Sequence, residues 1–80
     1  MRELRMLLVE WTDSNVTHGW HLEDDALDNV VSHCRTAGIL VAENTESITL
    51  AMGVSTCGSV LETITIPRGC IKSIKKLRVR

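Results

Sequence analysis

Hydrophobic and polar residues alternate with a two-residue period through much of the chain. In residues 48–55 every even position carries a large apolar side chain, and every odd position is small or polar. Successive side chains of a strand point to opposite faces of its sheet, so this alternation is typical of a half-buried β-strand. Strands are also predicted over residues 2–11, 33–43, 60–66 and 70–79. The last of these segments also suits a single helical turn, because Ile71, Ile74 and Leu77 are spaced three residues apart.

A different period appears in residues 22–31. Their apolar residues would share one face of a helix, and three acidic residues follow Leu22, where negative charge favours a helix N-terminus. The apolar set is Leu22, Ala26, Leu27, Val30 and Val31. The pattern predicts one short helix between the first and second strands.

Polar and conformationally special residues separate the predicted strands. Residues 12–15, 44–46 and 56–59 are rich in side chains that favour turns, and Pro67 ends the fourth strand because proline cannot donate to a ladder. Gly38 allows a bend or bulge in the second strand. Five short strands with one helix close most economically into a small barrel that leaves few free edges. The expected architecture is one mostly β domain spanning residues 1–80.

The composition limits what fills the core. The 80 residues include no Phe or Tyr and only two Trp, so the core must be aliphatic and small, and self-association would add stability. Trp11 is predicted to plug the barrel. Trp20 either packs on the helix or offers an indole platform for a base or for a partner's side chain.

The net charge of −1 hides an uneven distribution. Seven of the ten acidic residues precede residue 30, and six of the nine basic residues follow residue 67. The basic set is Arg68, Lys72, Lys75, Lys76, Arg78 and Arg80. These side chains could bind phosphates, or they could form a charged edge strand that prevents aggregation. A pI near 6.3 favours surfaces that complement one another between subunits over a dedicated nucleic-acid binder.

Two segments resemble the motifs of Sm-like proteins. Residues 38–44, Gly-Ile-Leu-Val-Ala-Glu-Asn, followed by Ile-Thr-Leu at 48–50, are similar to the first Sm motif. Ile-Pro-Arg-Gly at 66–69, followed by Ile71, resembles the second. The resemblance implies an SH3/Sm-like barrel that forms a ring, with RNA or a nucleotide at a rim built from Asn44, Arg68 and Gly69. The helix after the first strand and the proline within the turn depart from the family pattern.

A second resemblance covers most of the chain. Small uncharacterised phage and prophage proteins share Trp-x-Asp-Ser after the first strand and an Ile-Pro-x-x-x-Ile-x-x-Ile ending, here residues 11–14 and 66–74. Their Gly-x-Leu-Val-x-Glu and Ile-Thr-Leu-Ala segments correspond to residues 38–43 and 48–51. This resemblance implies a viral or prophage origin and carries no activity.

Catalytic and metal chemistry find little support. Asp13, Ser14 and His18 are near in sequence, but triads depend on geometry, and His33 and Cys34 would point to opposite faces of a strand. Zinc sites usually show paired ligand spacings that are absent around the histidines at 18 and 21. The odd number of cysteines, without an apparent signal peptide or membrane span, predicts reduced thiols in a cytoplasmic protein.

The sequence therefore predicts a non-enzymatic Sm-like binding module without a cofactor, forming a homo-oligomer that binds RNA or a nucleotide and no membrane. Its expected binding residues are Asn44, Arg68, Gly69, Lys72 and Trp20. One alternative is a phage interaction protein that occludes a host factor. Another is a protein that sequesters a signalling nucleotide between its subunits.

Overall fold

Five antiparallel strands make up the part of the chain that the computed structural model describes, which is residues 4–14, 20, 22–23 and 31–78. The strands are β1 (Met6–Asp13), β2 (Ser32–Glu43), β3 (Ser47–Val54), β4 (Val60–Pro67) and β5 (Ile71–Leu77). A 3-10 turn, Arg68–Cys70, joins β4 to β5. The mostly β prediction is confirmed. The predicted helix over residues 22–31 is not seen in the described part of the chain, and most of it falls outside that part.

The strands form one sheet in the order β4-β3-β2-β1-β5. Consecutive strands pair as neighbours from β1 to β4, and β5 returns to pair with β1. Strands β4 and β5 are therefore the two edges of the sheet. Among the described residues no ladder joins these edges, so the predicted closure into a barrel is not established.

Pairing between strands moves the predicted end of β1. Thr12 and Asp13 were expected in a turn, but they lie opposite His33 and Ser32 and extend β1. The cross-strand ladder outweighs the local turn preference of these polar residues. Residues 71–77 form the predicted fifth strand, paired with β1, so the alternative of a helical turn is not observed.

Aliphatic side chains from several strands form the core, as the composition predicted. Val9, Ile48, Leu50 and Ile66 are almost completely buried. Trp11 packs against this cluster, and its Nε1–H donates to Thr36 Oγ1 at 3.0 Å. A half-buried tryptophan usually satisfies its N–H in this way, so Trp11 serves the core.

The sheet is distorted where β2 pairs with β3. A Cβ added to Gly38 would lie 3.0 Å from both Ala51 O and Leu50 Cβ, so this close approach requires glycine. The bulge itself lies three residues further on, where Val41 is the extra residue between the pairs of Leu40 and Ala42. The predicted distortion of β2 is thus present, with the bulge displaced from the glycine.

The buried face of β3 is shorter than its alternation predicts. Pairing with β2 ends at Ile39 and Ala51, and beyond that point β3 pairs only with β4. Met52 continues the even-numbered apolar series, yet 71% of its surface is exposed. Among the described strands none beyond β3 and β4 covers this part of the hairpin, so the expected burial is not observed. No helix in the described ranges has both the length and the apolar character needed to cross a membrane.

Candidate functional site

Two turns meet at one end of the sheet, and we call them together the turn end: residues 44–46 between β2 and β3, and Arg68–Cys70 between β4 and β5. Asn44 organises the first turn. Its Oδ1 accepts from the backbone N–H groups of Glu46 and Ser47, each at 2.8 Å. Asparagine is favoured at such positions because its short side chain reproduces a backbone turn.

Arg68 joins the second turn to the first. Its Nε–H donates to Asn44 O at 2.7 Å, and its backbone N–H donates to Glu46 O at 2.8 Å. The structure therefore brings together Asn44 and Arg68, which the sequence placed at a common rim.

Glu43 lies between two arginines at the turn end. Its Oε2 is 3.2 Å from the Arg5 guanidinium, and its Oε1 is 3.5 Å from Arg68. All three side chains are partly exposed, and ion pairs of this kind add little stability. Any anion that bound Arg68 would have to compete with Glu43 for its guanidinium. The Sm resemblance did not assign this role to Glu43.

Gly69 and Trp20 differ in how they relate to the turn end. A Cβ added to Gly69 would meet nothing within 4 Å, so the space beside Arg68 is open. Trp20 is fully exposed, and no described contact joins it to the turn end. Most of its sequence neighbours lie outside the described residues.

Lys72 lies in a separate depression, which we call the Trp11 cleft, with a volume of about 490 Å³. Its lining comes from three neighbouring strands and comprises Glu10, Trp11, His33, Cys34, Arg35 and Lys72. Sequence reasoning did not assign a binding role to Glu10, His33 or Arg35. A usable signal was present, since Glu10 and Arg35 are charged residues inside strands, but their pairing depends on the strand register.

The three cysteines are free thiols in different surroundings. Cys57 lies exposed in the turn between β3 and β4, where its Sγ is 3.0 Å from Ser55 Oγ and 3.6 Å from Ser59 Oγ. Hydrogen bonds from Ser55 and then Ser59 stabilise the thiolate and lower the pKa of Cys57 from 9.0 to about 7. This thiol is therefore substantially ionised at neutral pH.

Among the described residues, the other candidates for a catalytic or metal site do not come together. Asp13 Oδ1 accepts from the backbone N–H of Ser14 at 2.9 Å, while His18 and His21 lie outside the described ranges. Within those ranges no group of three or more His, Cys, Asp or Glu residues could hold a metal ion.

Comparisons of this chain with protein-family models, with curated proteins and with solved structures found no match.

Proposed function

We propose that this chain is a non-enzymatic binding module of the Sm-like type, which self-associates through its sheet edges and binds RNA or a nucleotide. The observation that carries the proposal is the different chemistry of the two open edges. Strand β4 contains one acidic residue, Glu62, and no base. Strand β5 contains Lys72, Lys75 and Lys76 and no acid.

Open edges favour pairing between subunits. The unpaired N–H and C=O groups of an edge strand can bind the edge of another chain. Contact of β5 with another β5 would oppose lysines to lysines, whereas contact of β5 with β4 avoids this repulsion. Such a head-to-tail contact uses two different surfaces, and it gives a closed ring when its rotation closes. A barrel completed in this way would leave fewer free edges than the isolated sheet.

The proposed RNA-binding surface is a rim formed by repeated turn ends. Each copy would contribute Asn44, Arg68 and the open space at Gly69, with the lysines of β5 nearby in sequence. The guanidinium of Arg68 offers a planar fork that suits phosphate, and the groups it does not use for Asn44 and Glu43 remain available. One 80-residue chain offers a small surface, so repetition in a ring would increase the number of phosphate contacts.

Three substitutions test the rim. We expect Arg68→Ala to weaken binding of a fluorescent single-stranded RNA more than Lys76→Ala, measured by anisotropy at low salt. Arg68→Lys keeps the charge but loses the fork, and it should fall between them. Thermal melts of all three variants control for loss of the turn-end contacts. Equal weakening by Arg68→Ala and Lys76→Ala would indicate diffuse charge attraction and contradict the rim.

A second function is favoured by a different observation. Met52, Val60 and Leu61 are each at least half exposed on the hairpin formed by β3 and β4. An exposed apolar surface of this kind suits a protein partner, such as a host factor if the chain is of phage origin. A protein that remains monomeric and binds no RNA at low salt would favour this function over the Sm-like module.

A further inference from the structure

The register of β1 with β2 divides the residues of the Trp11 cleft between the two faces of the sheet. Thr36 is partly buried on the core face, where it bonds to the Trp11 indole, whereas His33 and Arg35 are exposed on the opposite, outer face. Arg35 lies directly opposite Glu10 of β1. Cross-strand partners carry their side chains on the same face, so Glu10 joins His33 and Arg35 there. A ligand on the outer face would therefore contact these polar side chains and not the indole.

Glu10 lies at the centre of this polar cluster. Arg35 is opposite Glu10 on β2, and Ser73 is opposite it on β5. Lys72 is the extra residue of a bulge in β5, and its exposed side chain lines the cleft together with Glu10 and Arg35. Bulges redirect side chains and are frequent beside binding sites. One carboxylate is thus flanked by a base on each of the two neighbouring strands.

The flanking bases are available to an anion. Both ion pairs found among the described residues use Glu43. Neither Arg35 nor Lys72 has a carboxylate at ion-pair distance in the described part of the chain. Arginine offers a planar fork and lysine a compact charge, which together suit one oxyanion. His33 adds at least one N–H donor in either protonation state.

The carboxylate of Glu10 determines which oxyanion fits. An ionised carboxylate only accepts hydrogen bonds, so it repels an oxyanion without a hydrogen but can accept from a P–OH group. A phosphate group keeps one O–H near its second pKa of about 6, whereas sulfate and the internal phosphodiesters of RNA have none. The cluster therefore favours a phosphate group that carries a hydrogen.

We infer that the outer face of the sheet binds a protonated phosphate group, which receives hydrogen bonds from Arg35, Lys72 and His33 and donates its O–H to Glu10. Free phosphate and phosphate monoesters share this group. The inference goes beyond the proposed RNA-binding rim, because it excludes the internal phosphates of RNA. It requires neither the turn end nor an oligomer.

Backbone amide shifts of the full, ¹⁵N-labelled chain test the inference at about pH 6. We expect saturable shifts at residues 10, 33–35 and 72 on titration with inorganic phosphate, and roughly fivefold weaker binding of sulfate or less. AMP distinguishes the two sources: tighter binding than phosphate indicates a monoester, and binding no tighter indicates free phosphate. No saturable shift with phosphate, or equal affinity for phosphate and sulfate, would overturn the inference.

Matched alanine variants locate the phosphate. Arg35→Ala and Lys72→Ala should each weaken its binding by roughly tenfold, because each removes a charged hydrogen-bond donor. Lys76→Ala is the control for loss of one positive charge. Lys76 pairs with Leu7, whose buried side chain lies on the core face, so phosphate affinity should be unchanged. Equal weakening by Lys76→Ala would overturn the assignment to the outer face.

The role of Glu10 has its own variant. Glu10→Gln keeps the shape of the side chain but removes its charge, so phosphate and sulfate should then bind about equally. A preference for phosphate that survives Glu10→Gln would overturn the assigned hydrogen bond. Arg68→Ala should leave phosphate binding intact, and failure of RNA binding alone would contradict only the rim.

Discussion

The two halves of the β3–β4 hairpin follow the same alternation but differ in burial. In the proximal half, residues 47–51 with 63–67, Ile48 and Leu50 are buried with Ile66. In the distal half, residues 52–62, Met52 is 71% exposed and Leu61 56% exposed. The ladder continues across both halves in one register, although it is interrupted at Met52 and Glu62.

The difference arises from the neighbours of the hairpin. Strand β2 pairs with the proximal half and stops pairing at Ala51, next to the close approach of Gly38. In the distal half, β3 and β4 pair with each other alone among the described strands, and none of those strands covers their apolar side chains. Alternation therefore sets which face a side chain occupies, while burial depends on whether a third element covers that face. Self-association would bury the exposed apolar side chains of the distal half.

The largest expected effect separates Leu50 from Met52. Leu50→Ala removes a buried side chain from the core and should lower the free energy of unfolding by about 2–5 kcal/mol. Met52→Ala should lower it by less than about 1 kcal/mol, because an exposed side chain has little packing to lose. Urea denaturation at low protein concentration measures both. An equal loss for the two variants would contradict the division of the hairpin.

Two glycine substitutions sharpen the same comparison. Gly38→Ala places a methyl group 3.0 Å from the proximal half and should cost about 1–3 kcal/mol, the range expected for overpacking. Gly53→Ala, in the distal half, adds a Cβ 3.8 Å from Leu61 Cβ, which is an ordinary contact. We expect its free energy of unfolding to change by no more than about 0.5 kcal/mol. A similar cost at both positions would show that β2 does not crowd β3.

The sequence predicted the positions of the strands better than the burial of their side chains. Alternation located all five strands within a few residues, and the polar residues at 44–46 and 56–59 marked real turns. It could not distinguish Met52 from Leu50, because that difference depends on where β2 leaves β3. The extra residues Val41 and Lys72 also depend on the register between strands far apart in the chain.

The candidate sites divide in a similar way. The motif resemblance placed the Asn44 and Arg68 turns at a shared rim of a ring, which stays a prediction. Within the chain the two residues are in contact, because each follows a strand that ends at the same side of the sheet. It did not indicate that Glu43 would engage Arg68. The Trp11 cleft was not predicted, because its lining comes from three strands that are brought together only by pairing with a bulge.

The change with the smallest expected effect on stability is alkylation of Cys57, which lies at the tip of the distal half. Its alkylation by iodoacetamide should reach half of the maximal rate near pH 7 and fall at lower pH, because the thiolate is the reactive form. A Cys34→Ser/Cys70→Ser background isolates this thiol. Ser55→Ala should shift the profile to higher pH by removing the first hydrogen bond to the thiolate. A profile near pH 9 without that substitution would contradict the described contacts.

The mass of the protein in solution tests the central claim, self-association through open edges, most directly. Light scattering at high micromolar concentration should give a discrete whole-number multiple of 8.9 kDa, because β4 and β5 offer unpaired edges and the distal half offers apolar surface. Samples treated with nuclease should give the same multiple, which separates protein self-association from assembly on RNA. A single species of 8.9 kDa at that concentration would contradict the account.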